Sequence, residues 1–146
     1  MPNTNLQLGG GGFHHVAIRS RDFDASFSFY RDVLGFVPTV AWGQAPGRAV
    51  MLDTGDGNYL EIFERPDQPP PPADQEGVIL HFAIRTDDTD AALARARAAG
   101  VTVTMEPTDV DLPNTCEARP SLLPVRIAFF QGPDGEVIEL FQNELT

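Results

Sequence analysis

Two histidines and two glutamates stand at matching places along this 146-residue chain. HVAIRSRDFDA (15–25) aligns without a gap on HFAIRTDDTDA (81–91), and DGNYLEIFE (56–64) aligns on DGEVIELFQ (134–142). His15 therefore corresponds to His81, and Glu61 to Glu139. Each lies in strand-like sequence, where side chains alternate between faces. His15, Ala17 and Arg19 then share one face opposite Val16 and Ile18, and His81, Ala83 and Arg85 share one opposite Phe82 and Ile84. Tyr59, Glu61 and Phe63 oppose Leu60 and Ile62, with Val137, Glu139 and Phe141 placed likewise. A carboxylate set among apolar neighbours is costly unless it is paired or binds a metal. A single inward histidine is ordinarily just hydrogen-bonded, but two His and two Glu repeated in register point to one divalent ion per site. Imidazole nitrogen and carboxylate oxygen form a borderline-hard set that suits Zn, Ni, Co, Mn or Fe(II). His14, next to His15 but on the opposite side of an alternating strand, reads as a surface or edge residue.

The elements that must position these groups are duplicated too. HHVAIRS and LHFAIRT read as strands leading into capped helices. DFDASFSFYRDVLGF predicts a helix of about ten residues stopped by Gly35, and DDTDAALARARAAG a helix stopped by Gly100. GRAVMLDT, NYLEIFE, VTVTME, VRIAFF and EVIELFQ read as strands, with DTGDGN and QGPDGE as tight turns. The fold class is thus α+β: two βαβββ modules whose sheets, each with a helix on its outer face, enclose a barrel-like cavity. Module 1 spans residues 13–64, a proline-rich connector of extended conformation 65–77, and module 2 78–146. EPTDVDLPNTCEARPSLLPVR, the insertion in module 2 (loop 106–125), is either a lid or a plain surface loop. Trp42, Phe63, Phe130 and Phe141 are candidates for an apolar pocket wall or for simple core.

Length and composition narrow the rest. The chain fits a single domain with one site. Residues 1–12 lack the basic start and apolar stretch of a secretory signal and read as a flexible tail, which suggests a cytoplasmic protein. No apolar run approaches the roughly eighteen residues of a membrane span. The single cysteine, Cys116, has no partner for a disulfide or a soft-metal site and reads as a passive loop thiol. A formal charge of -11 argues against nucleic acid and anionic membranes and leaves a small-molecule ligand.

FHHVAIRSRDFDASFSFYRDVLGF, followed by YLEIFE, LHFAIRT and FFQGPDGEVIELFQ, resembles the vicinal oxygen chelate superfamily of glyoxalases, bleomycin-resistance proteins and extradiol dioxygenases, from Phe13 to Gln142. The resemblance to glyoxalase I implies a metal-dependent lyase or isomerase with His15, Glu61, His81 and Glu139 as ligands. Glu139, or Glu61, would then move the proton beside a metal-polarised carbonyl. Arg19, matching the arginine of an H-x-x-x-R strand, and its counterpart Arg85 are candidate substrate-binding residues. For Arg19 a role as partner of local aspartates is the alternative. Extradiol dioxygenases leave the position of Glu61 non-coordinating, and bleomycin-binding members use no metal; both stand as alternatives. Arg65 takes the place of a usual glyoxalase I asparagine, which counts against glutathione, and Glu61 takes the place of a usual glutamine in methylmalonyl-CoA epimerases. The resemblance also implies a homodimer, with His15 and Glu61 meeting His81 and Glu139 either within one chain or across two.

Overall fold

The computed structural model describes residues 5–7, 9, 12–69, 72, 77, 79–117 and 119–144. Most of the tail 1–12, and residues 70, 71 and 73–76 of the connector, lie outside the described residues. The chain is α+β and forms two compact units that divide between Gln68 and Pro69. Among the described residues, no helix is long and apolar enough to cross a membrane.

The first unit runs β1 (His15–Ser20), α1 (Phe23–Ser28), β2 (Val37–Trp42), β3 (Ala49–Asp53) and β4 (Tyr59–Glu64). Its sheet has the order β1-β4-β3-β2, with β1 parallel to β4 and the other pairs antiparallel. Asp22 caps α1, its side chain accepting the Ala25 N–H. The helix departs from the sequence expectation, because after Ser28 the chain widens into a π-helical turn over Phe29–Val33. Leu34 N–H donates to Phe29 O and Phe36 N–H to Tyr30 O. The wide turn accompanies the burial of two consecutive aromatics, Phe29 and Tyr30, with Tyr30 stacked on Phe36. Gly35 follows at φ +76, the left-handed conformation expected of it. Leu52, Leu60 and Ile62 form the core face of the sheet.

The second unit repeats this order with β5 (Phe82–Arg85), α2 (Thr89–Ala98), β6 (Thr102–Pro113), β7 (Leu122–Gln131) and β8 (Val137–Gln142). The sheet order β5-β8-β7-β6 is the same arrangement. Asp88 caps α2 by accepting the Ala91 N–H, and the helix buries Thr89, Leu93 and Ala96 at the i, i+4, i+7 spacing of one helical face. Ala128, Phe130, Ile138 and Leu140 complete this core.

One expectation needs correction here. The stretch 106–125 is largely strand: β6 and β7 pair as far as Pro113 and Leu122, so only 114–121 connects them. That turn is organised by Asn114, whose side chain donates to Pro120 O (2.7 Å) and accepts the Cys116 N–H (2.9 Å). Cys116 is exposed there. Of the two readings offered for Phe130, pocket wall or core, the structure bears out the core: it is 0% exposed and pairs in register with Ile138.

Candidate functional site

In the first unit, parallel pairing sets Ala17 beside Glu61, and antiparallel pairing sets Met51 on the other side. Residues directly opposite each other share a face, so His15, Ala17 and Arg19 lie on the Glu61 side and Leu60 and Ile62 on the other. His15 Nε2 stands 3.4 Å from Glu61 Oε2, and Glu61 is only 7% exposed. Phe63 lies on the same face with Trp42, their rings 6.0 Å apart edge to face.

The second unit builds the same pair one strand register apart from its own core. Ala83, Glu139 and Phe129 lie in one row across β5, β8 and β7. His81 Nε2 is 3.0 Å from Glu139 Oε2, and Glu139 is 8% exposed. Burial pushes the Glu139 carboxyl above its ordinary value, while His81 beside it pulls the other way. The His81 ring meets Phe129 edge to face at 5.3 Å. Phe129, opposite Glu139, is therefore the aromatic neighbour of the site that the sequence reading passed over in favour of Phe130.

All four proposed ligands are thus found in pairs, His15 with Glu61 and His81 with Glu139. Within either unit, no third His, Cys, Asp or Glu among the described residues joins the pair. One imidazole nitrogen beside one nearly buried carboxylate is a donor pair suited to a borderline-hard divalent ion.

The other candidates divide. Arg19 is on the Glu61 side, but its Nη1 donates to Gln68 Oε1 at 3.0 Å, so the polar partner is an amide and not a local aspartate. Arg85 is exposed on β5, in register with Phe141. Arg65 places its guanidinium 5.2 Å from the Phe63 ring centroid and donates to Glu64 O. His14 is an exposed edge residue, as expected, but it does not point away from His15: it precedes β1, so strand alternation does not govern it, and its Nδ1 lies 2.9 Å from His15 Nδ1.

The duplicated His–Glu strands and their sheet order place the chain among known proteins. Residues 12–140 match the family model described as Glyoxalase/Bleomycin resistance protein/Dioxygenase superfamily. The chain belongs to this superfamily. Among curated members it is 33% identical to "Uncharacterized protein YaeR" of Escherichia coli, over 93% of this chain and 99% of that one. It is 30% identical to the lactoylglutathione lyase of Haemophilus influenzae, over 90% of this chain and 93% of that one. Among solved structures of the superfamily, a glyoxalase family protein from Enterococcus faecalis superposes with a TM-score of 0.68 at 25% identity, covering 89% of this chain and 96% of that one.

Proposed function

We propose that this superfamily member is a metal-dependent lyase or isomerase of the glyoxalase I type, acting in the cytoplasm as a homodimer on a small carbonyl substrate. The observation that carries the proposal is the doubled pair: a His nitrogen within 3.4 Å or 3.0 Å of a nearly buried Glu, once in each unit, with His15 opening β1, His81 immediately before β5, and the two Glu at matching positions of β4 and β8. Similarity to a lactoylglutathione lyase at 30% identity supports the reaction class.

His15, Glu61, His81 and Glu139 would hold one divalent ion. Bound there, the ion would polarise a carbonyl and lower the cost of removing the adjacent proton. Glu139 would be the carboxylate that carries that proton. Glu61 is the second candidate for the role. Met51 lies beside Glu61 and Phe129 beside Glu139 in the strand register, so each carboxylate has an apolar neighbour. Arg19, on β1 with His15, and Arg85, on β5 just after His81, would meet an anionic group of the substrate.

The test is elemental analysis of the purified protein beside Glu61→Ala and Glu139→Ala. About one ion per chain in the wild type, with affinity lowered by more than about 100-fold in each variant, is expected, since loss of a ligand exceeds the 10–100-fold of a lost outer partner. Turnover of 2-oxoaldehyde adducts with several thiols then defines the substrate. A wild type that takes up no Ni, Co, Zn or Mn would leave a metal-free binding protein. Sedimentation of the loaded protein tests the dimer: a strictly monomeric particle that binds one ion assigns all four donors to one chain.

A further inference from the structure

The face of the first sheet that carries Glu61 ends in a row of aromatic and basic side chains. Register places Arg19 opposite Phe63, Phe63 opposite Ala49 and Ala49 opposite Trp42, and residues so paired share a face. The Trp42 and Phe63 rings meet edge to face at 6.0 Å across Ala49, which is 2% exposed, while Trp42 itself is 42% exposed. Aromatic surface is thus left open to a ligand beside a strand that is already closed.

Phe63 has an arginine on each side. Arg65 sets its guanidinium 5.2 Å from the ring centroid, and Arg19 is the register partner on β1. Both arginines are exposed and donate to neutral oxygens, Arg65 Nη1 to Glu64 O at 2.7 Å and Arg19 Nη1 to Gln68 Oε1 at 3.0 Å. Among the described residues neither forms an ion pair, although acidic residues outnumber basic ones 21 to 10 and Arg31, Arg48, Arg97 and Arg126 all hold carboxylates. The second unit does not repeat the arrangement. Its corresponding row runs Arg85, Phe141, Ile127, Thr108, and Asn143 stands in the place of Arg65.

We propose that this row is a binding subsite for a planar aromatic anion, the ring set against Trp42 and Phe63 and the carboxylate held by Arg65 and Arg19. A guanidinium can keep its flat face on an aromatic ring while its N–H edge meets a carboxylate, which a neutral or a saturated ligand would exploit only in part. Phe63 follows Glu61 by two residues on the same face, about 7 Å along the strand, so a substrate engaged at the His15–Glu61 pair would reach the row with an aryl group. That use by the substrate rests on the function proposed above; the subsite itself does not.

Trp42 is the only tryptophan of the chain, so its indole N–H resonance reports occupancy directly. Titration of the metal-free, full-length protein with naphthoate is expected to shift that resonance saturably. The saturated decahydronaphthoate and the uncharged naphthalenecarboxamide should each bind about tenfold more weakly. Arg65→Gln should weaken naphthoate about tenfold and leave the carboxamide unchanged. No saturable shift at millimolar naphthoate overturns the subsite, as does equal affinity for the three probes or naphthoate binding indifferent to Arg65→Gln. Ni(II) binding is measured on the same protein. A chain that takes up no Ni(II) but discriminates the probes in this way sinks the metal reading and supports the subsite, whereas one that binds Ni(II) without discriminating them overturns the subsite alone.

Discussion

Both units tie the first turn of their helix to the sheet through an arginine, and they do it with different chemistry. In the first, Arg48 donates to Asp24 on α1 and to Glu64 at the end of β4, Nη2 to Oε1 at 2.7 Å. In the second, Arg126 holds Asp90 on α2 and Asp109 on β6, at 2.6 and 2.9 Å. The position matching Glu64 is Gln142, and its Oε1 accepts the Thr89 N–H at 2.8 Å instead of meeting the arginine. Glu64 is buried, whereas the Asp90 and Asp109 side chains are 59% and 83% exposed. The geometry of the clamp has been kept through duplication while the burden of a buried charge falls on one copy. The proposed site shows the same division: the His–Glu pair recurs, while His14, which touches His15, has Leu80 in its place in the second unit.

The strongest expected effect probes what the copies share. Ile62 and Leu140 occupy equivalent places on β4 and β8 and are 0% and 1% exposed. Ile62→Ala and Leu140→Ala should each cost about 2–5 kcal/mol in urea unfolding, the range for deleting a large aliphatic side chain from a packed core. Trp42, in the first unit, reports by fluorescence, and far-UV circular dichroism reports on both. A loss under about 1 kcal/mol at either site would mean that the two cores are not equivalent.

A smaller effect should separate the copies. Arg48→Met strands the buried Glu64 carboxylate without its guanidinium, whereas Arg126→Met leaves two aspartates that water already reaches. Removing one partner of a buried pair costs far more than removing one partner of an exposed pair. Arg48→Met should therefore lower the urea midpoint more than Arg126→Met. Equal shifts would show that the burial of Glu64 carries no penalty.

Much of this was readable beforehand, for a physical reason. Alternation and self-similarity are local properties, so the placement of His15 and Glu61 on one face of the first sheet and of Leu60 and Ile62 on the other, and the matching of His81 and Glu139 in the second unit, follow from order along the chain. What escaped depends on partners distant in sequence. Phe129 and Phe130 are adjacent and equally apolar, and only the pairing of Phe129 with Glu139 decides between them. Four prolines made 106–125 look like loop. Pro113 sits at a strand end, and Pro124 on a stretch of β7 beyond the part that pairs with β8, where a missing N–H is tolerated. The π-helical turn follows from where Phe29 and Tyr30 are buried, which hydrophobic spacing does not encode. His14 is the exposed edge residue expected, but its contact with His15 depends on the strand beginning only at His15.

The smallest expected effect converts one copy toward the other. Glu64→Gln gives the first unit the residue that the second has at position 142. Hydrogen bonds from the Arg48 side chain, and from its backbone N–H, hold the Glu64 carboxyl below its ordinary 4.5. The unfolded chain then binds this proton at higher pH than the folded one, so the stabilisation is fully present above 4.5 and is lost as pH falls through the lower folded value. Glutamine keeps an acceptor for Arg48 but carries no charge to titrate. Urea midpoints measured from neutral pH downward should show wild type above Glu64→Gln near neutrality, with the curves converging below about pH 4. Other carboxylates titrate in both proteins and cancel in the difference. A gap that stays constant into acid would show that the charge on Glu64 adds nothing to the clamp, and that glutamine in the second unit is a neutral replacement and not a relaxation of it.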